Sequence, residues 1–234
     1  MKKPLALFAL AALAAVVVII FWMRGNLDGL VRTAIVSYGS AMTQTTVAVD
    51  AVNITPTNGR GVISGLIVGN PAGFKTPHLM KVGKIEIEID IASMTKDVVI
   101  IRRIAVVAPD VIYEKGDALT NIDALQKNIG TYLGPSNTTK PGAKLIVDEL
   151  TIRNARAQAS AAFMNGKTIE VALPDITMKD IGRAKGGITA GELGQEITNA
   201  IKARLTGAVS FDRLMKSTGE ALGKAGAAVK DLFK

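Results

Sequence analysis

The sequence predicts a mainly β, α+β protein: a curved antiparallel sheet or half-sandwich with flanking amphipathic helices, preceded by one N-terminal transmembrane helix. Three observations predict it. An uncharged apolar run from Pro4 to Met23 lies between Lys2-Lys3 and Arg24. Most of the chain from Thr45 onward alternates apolar and polar residues with period two, punctuated by Gly, Pro and Asn. Three flanking stretches instead repeat apolar residues at helical spacing. The expected division is a signal anchor over 1–24, a juxtamembrane helix over 25–41, a β-rich domain over 42–188 and C-terminal amphipathic helices over 189–234.

The first segment is 20 residues long from Pro4 to Met23. At helical rise that length matches a hydrocarbon core of about 30 Å. Ala9, Ala11, Ala12 and Ala14 offer the small residues of a cleaved secretory signal. The apolar run continues far past them, through Val16 to Trp22, whereas a signal's apolar region ends near its cleavage site. An uncleaved anchor is therefore expected, with Leu5, Phe8, Val17, Ile20, Phe21 and Trp22 in the lipid and the aromatic pair at one interface. Lys2, Lys3 and the amino terminus precede the span, which places the N-terminus in the cytoplasm and the bulk of a bacterial chain in the periplasm.

Composition narrows the chemistry. The chain has no cysteine, which excludes disulfides, thiolate metal sites and thiol nucleophiles. Its formal net charge is +8. Such a charge favours anionic surfaces. Aromatic residues are 4% and no nucleic-acid motif is present, so nucleic acid is not expected; the charge suits either anionic lipid headgroups or simple solubility.

Along the chain, Leu27, Leu30, Val31, Ala34, Ile35 and Tyr38 share one helical face. Thr45 to Ile54 reads as a strand, Asn58-Gly59-Arg60-Gly61 as a turn, and Val62 to Val68 as the returning strand. An irregular region runs from Gly69 through Pro77 to Gly83. Lys84 to Ile91 alternates strictly: Ile85, Ile87, Ile89 and Ile91 face one way, and Glu86, Glu88 and Asp90 the other. Val98 to Val107 is apolar on both faces and predicts a strand covered on both sides, bent at Pro109 before Val111 to Tyr113. Thr120 with Asp123 predicts a capping box opening a helix lined by Ile122, Leu125, Ile129 and Leu133. Gly134 to Gly142 is a loop, followed by strands at Leu145–Ile152 and at Ile169–Leu173 running on past Pro174, with an edge strand at Arg156–Phe163. Thr189 with Glu192 predicts a second capping box, and Gly207 the end of that helix. A last amphipathic helix begins at Phe211.

Catalytic constellations are missing. His78 is the lone histidine, and it reads as an exposed loop residue beside Pro77. Glu86, Glu88 and Asp90 form a row that a divalent cation could hold, but a solvated face balanced by basic neighbours is the simpler expectation. Gly59, Gly61 and Gly65 precede a strand, so no helix N-terminus is there for a phosphate. Gly-x-Ser-x-Gly is absent. No enzyme activity, metal or cofactor is expected.

GVISGLIVGNPAGF (Gly61 to Phe74), KIEIEIDIASM (Lys84 to Met94), VAPDVIYE (Val107 to Glu114), TNIDALQKNI (Thr120 to Ile129) and LPDITMKDIG (Leu173 to Gly182) occur in one order behind an anchor. In that order they resemble the N-terminal module of the AsmA family of bacterial inner-membrane proteins. The resemblance implies a periplasmic β-sheet domain, related to larger proteins with apolar grooves that move phospholipids, and a role in cell-envelope lipid handling or outer-membrane biogenesis. This chain is far shorter than the family's large members and cannot bridge the periplasm. The module is also similar to plant desiccation-type β-sandwich domains. On this reading Ile85, Ile87, Ile89 and Ile91 contact lipid; the plain alternative is that they are core beneath the helices. The competing function is a tethered adaptor that recruits an envelope protein through an edge strand or the last helix.

Overall fold

The computed structural model describes residues 27–134 and 144–209. The expected anchor over 1–24, most of the loop after Gly134 and the helix from Phe211 lie outside the described residues. Among the described residues no helix is long and apolar enough to cross a membrane.

Among the described residues, three α-helices and ten strands share one apolar core. Helix α1 is Leu27–Thr43. Strands β1 (Val47–Ala48) and β2 (Ala51–Thr55) pair with β3 (Arg60–Val68), and β3 pairs with β4 (Met80–Ile89), all antiparallel. Strands β5 (Val98–Val107) and β6 (Asp110–Lys115) both pair antiparallel with β4. Helix α2 (Asn121–Leu133) then carries the chain back, so that β7 (Lys144–Arg153) lies parallel to β5 and β8 (Arg156–Ala161) parallel to β6. Strands β9 (Ile169–Val171) and β10 (Ile176–Ile181) close the sheet, antiparallel to β8 and β7. Helix α3 (Ala190–Ala208) follows. The sheet is thus mixed, not purely antiparallel, because the α2 crossover returns β7 and β8 in the direction of β5 and β6.

The ten strands form six long ribbons; four of them break at one level, and β3 and β4 run through it with one pair missing from their ladder. The pairs Ser64–Lys84 and Leu66–Val82 bracket Gly65 and Gly83. Lys84–Val107 and Lys81–Asp110 bracket Ala108-Pro109. Val107–Arg153 and Asp110–Arg156 bracket Asn154-Ala155. Ile152–Ile176 and Ala157–Val171 bracket Pro174. Gly65 (φ 63°), Ala108 (φ 48°) and Asn154 (φ 54°) are left-handed at this line. Left-handed residues, an unpaired proline nitrogen and interrupted ladders all add local bend, so the sheet folds along this line toward the helices.

The break line accounts for several departures from the sequence reading. Thr45 to Ile54 is two strands, not one, because the kink at Val49-Asp50 lies against Gly65. Gly83 belongs to β4, which starts at Met80 rather than Lys84. Pro174 ends one strand before another begins, and β9 and β10 pair with the two halves of a single ribbon. The segment at Arg156–Ala161 is interior, between β6 and β9, not an edge. Strand β5 is not covered on both sides. A bulge opposite Glu88-Ile89 inserts Arg102 and reverses its parity, so Val99 and Ile101 are buried before it and Ile104 after it. Helix α3 runs through Gly207 to Ala208, capped when the Val209 amide donates to the Leu205 carbonyl.

On the outer face, register places Arg60, Glu88, Arg103, Glu149 and Lys179 opposite one another across β3, β4, β5, β7 and β10. This alternation of sign pins the register, since a one-residue slip would remove it. Glu86 pairs with Lys84 on its own strand at 2.6 Å. That hydrogen bond and the lysine's charge hold the Glu86 carboxyl below its ordinary value. Among the described residues no group of acidic or histidine side chains is placed to hold a metal ion.

The helices cover the inner face. Both expected capping boxes form: the Asp123 amide donates to Thr120 Oγ1 and the Glu192 amide to Thr189 Oγ1, with the carboxylates answering. Lys202 on α3 pairs with Asp123 on α2, and Gln126 Nε2 donates to Asn199 Oδ1 at 2.6 Å. Burial works against the Asp123 charge, but bonds from Lys202 and Thr120 overcome it and leave the carboxyl below its ordinary value. Helix α1 packs on the domain through Val31, Ile35 and Met42 and is tied by Arg32 Nε donating to the Val49 carbonyl at 2.7 Å.

A Cβ added at Gly65 would lie 2.8 Å from the Asp50 Cβ and closer still to its carboxylate, on a left-handed backbone. Gly65→Ala is therefore expected to destabilise the fold by about 2–4 kcal/mol. Urea unfolding checks this; a loss under about 0.5 kcal/mol would show that the break line is soft.

Candidate functional site: an apolar cavity under the bend

The most developed concavity lies between the bent sheet and all three helices, with a volume of about 120 Å³. Both halves of the sheet contribute: Ile85, Ile87, Ile104 and Leu150 from one side of the bend, Val68, Met80 and Val111 from the other. Ile35, Leu125 and Ile197 close it from α1, α2 and α3. Its polar wall groups are already bonded: Thr43 Oγ1 donates to the Gly39 carbonyl and Thr198 Oγ1 to the Gly194 carbonyl, each at 2.8 Å. A cavity with no spare donors or acceptors gives water little to hold.

Its size decides what it can take. An engineered apolar cavity of about 150 Å³ accommodates benzene. A space of about 120 Å³ fits a few methylenes, not a whole phospholipid. At about 24 cal/mol per Å³, an empty volume of about 120 Å³ forfeits about 3 kcal/mol of packing. Burying three or four methylenes recovers a similar amount at about 0.8 kcal/mol each.

The isoleucine row divides. Ile85 and Ile87 line this cavity. Ile89 and Ile87 line a smaller one of about 30 Å³ beneath the β2–β3 turn, which has room for about one water. Ile91 is not in the row: β4 ends at Ile89, Asp90 caps a 3₁₀ turn by accepting from the Ala92 amide, and Ile91 is 44% exposed. The alternation misleads there because Asp90's carboxylate offers the backbone a turn in place of the ladder. Ile87 is buried, so the row serves as core and as cavity wall together.

Sequence reasoning missed a buried polar network beside the cavity. Glu114 is 1% exposed. Its carboxylate accepts from the Lys75 amide (2.8 Å), the Thr76 amide (2.8 Å) and Thr76 Oγ1 (2.6 Å). Asn121 accepts from the Glu114 amide and donates to Asn70 Oδ1 and to the Ile112 carbonyl. Asn70 in turn donates to Thr76 at 2.7 Å. The Asn-Pro-x-Gly-Phe loop is thereby locked against β6 and the start of α2. No local pattern marks it, because β6 also carries Asp110 and Lys115; the burial of Glu114 comes from the loop that closes over it, and a buried acid requires such partners.

His78 sits beside this network and is 5% exposed, not a surface loop residue. The Leu79 amide donates to the Val68 carbonyl, and that pairing draws the loop's end into the sheet. His78 Nε2 is 3.6 Å from Asp110 Oδ2, close enough for an ion pair when the ring is protonated, but neither ring nitrogen has a hydrogen-bond partner among the described residues. Burial, then the charge of Lys81, lower its pKa from 6.5, and Asp110 opposes them only in part.

No family model, curated protein or solved structure matches this chain. The site is therefore judged on its own geometry.

Two outcomes follow from the polar residues. Asn121→Ala strands the Glu114 amide and Ile112 carbonyl and is expected to cost about 2–4 kcal/mol; chemical unfolding measures it. For His78, the unfolded chain binds a proton near pH 6.5 that the folded chain refuses, so stability falls as pH drops below 6.5 and levels beneath the lowered pKa. As the chain's one histidine, it gives a single imidazole titration by NMR. A midpoint at or above 6.5, or an unchanged pH dependence of melting in His78→Gln, would contradict a buried neutral ring.

Proposed function

We propose that this chain is an AsmA-like, non-catalytic protein of the bacterial inner membrane, held by residues 1–24 with its bulk in the periplasm, and that its cavity shelters the end of an acyl chain during envelope lipid handling. The observation that carries the reading is the apolar space of about 120 Å³ between a bent sheet and three helices. A tightly packed core keeps no such volume unless shape or a guest requires it. The anchor segment supplies the proximity to lipid, because its length and apolarity match a bilayer. The cavity's size supports partial insertion of one chain end, which suits a protein that presents or samples lipid more than one that encloses it.

Val106 lines the cavity and is half-buried. Val106→Phe is expected to fill the space with a change in stability within about 1–2 kcal/mol, since added packing offsets strain. Lipid mass spectrometry on purified full-length protein is expected to find fatty-acyl lipid with the parent and to find it depleted in the folded variant. Equal lipid in both, or none in the parent together with a stable protein partner, would favour the tethered adaptor instead.

A further inference from the structure

We infer that one end of the domain is a bilayer-docking rim, with Ile91 and the lysines Lys96, Lys144 and Lys185 set against anionic headgroups; this rests on the membrane-anchor reading above. The position of α1 decides which end. Asp28 Oδ1 accepts from the Ile54 amide at 2.9 Å, which fixes the first turn of α1 at the β2–β3 turn. That turn adjoins the rim: the Ile89 amide donates to the Gly59 carbonyl at 2.8 Å, and Ile91 lies against Gly59. From there the rim continues through the 3₁₀ turn to Asp97, whose carbonyl accepts from the Lys144 amide at 3.0 Å. Gly187, two residues past Lys185, lies against the Lys144 side chain.

Contour length brings this rim to the lipid. Four residue steps separate Met23, the last apolar residue of the anchor, from Leu27. Even fully extended they reach about 14 Å. A bilayer's headgroup layer adds about 5–8 Å beyond its hydrocarbon core. One face of helix α1 (Val31, Ile35 and Met42) is buried in the domain core, so the helix cannot swing away as a spacer. The end of the domain that holds residue 27 therefore stands within reach of the headgroups.

Charge and exposure at that end fit the surface. Lys96, Lys144 and Lys185 are exposed and have no ion-pair partner among the described residues. At the opposite end, Lys75 Nζ donates to the Ala162 carbonyl and Asn165 Oδ1, and Lys115 Nζ to the Ala118 carbonyl, but Lys167 has no ion-pair partner among the described residues and Leu119, Phe163 and Ile169 are exposed there too, so the tether length is what selects the rim. An exposed isoleucine among uncommitted lysines suits an interface where apolar atoms enter the headgroup layer and ammonium groups meet phosphates.

The absence of cysteine makes the test clean. Full-length Lys96→Cys and Phe163→Cys, the latter at the opposite end, are labelled with one fluorophore. Each is reconstituted into vesicles of phosphatidylcholine and phosphatidylglycerol that carry a headgroup-linked quencher. The expected result is several-fold stronger quenching at position 96 than at 163. Quenching at 163 in a further variant, Lys144→Glu with Lys185→Glu, should stay low, whereas quenching at 96 should fall in it and in high salt. Equal quenching at both sites with protein still floating with vesicles overturns the rim alone. Failure to float with vesicles overturns the anchor and the rim together.

Discussion

Everything in this fold depends on one line across the sheet, where four ribbons break and the two continuous ones, β3 and β4, miss a pair at Gly65 and Gly83. Gly65, Ala108-Pro109, Asn154-Ala155 and Pro174 stand side by side through register, although they are far apart in sequence. A flat six-ribbon sheet with three helices on one face would leave the outer helices without a full complement of neighbours. Bending it wraps both halves around α1, α2 and α3, and the helices' apolar stripes meet one concave surface. The cavity lies where that surface curves more than side chains can follow.

The two faces divide the work. The outer face is held in register by charges that alternate from strand to strand, each pair worth little in water but specific in position. The inner face is held by burial, and it tolerates a gap because the surrounding elements are rigid. The Asn70–Thr76–Glu114–Asn121 network contributes part of that rigidity. Its donors and acceptors are matched, so it locks the loop after β3 to the start of α2 without leaving a buried carboxylate unanswered. His78 is the exception beside it: a buried ring with no bonded partner among the described residues. Its packing is bought with a basicity below the ordinary imidazole range.

The proposed role combines two length scales. On the proposed anchor, the short connection to α1 would set how the domain meets a bilayer. The cavity sets how much of a lipid it can hold, which is a chain end. A domain held close and by one end needs little capacity to act on lipid, because the bilayer itself supplies the concentration. An enclosed carrier would need several times the volume. That difference in size separates this proposal from the long-groove transport implied by resemblance to the larger AsmA proteins.

By itself the sequence determined what short-range chemistry controls. Both capping boxes, the Val31/Ile35 part of the α1 face, the β2–β3 turn and the Ile/Glu alternation of β4 were legible, because each rests on residues within a few positions of one another; Tyr38, expected on the α1 face, is exposed, and Met42 is buried in its place. Tertiary structure decided what depends on neighbours distant in the chain. The parity switch in β5 needs the bulge against β4, and the parallel pairing needs the α2 crossover. His78 and Glu114 are buried because loops and strands converge on them, a fact that no local pattern encodes. Ile85 and Ile87 were identifiable as an apolar row, but whether that row is packed solid or borders a void is a matter of volume between elements, which only the assembled fold sets.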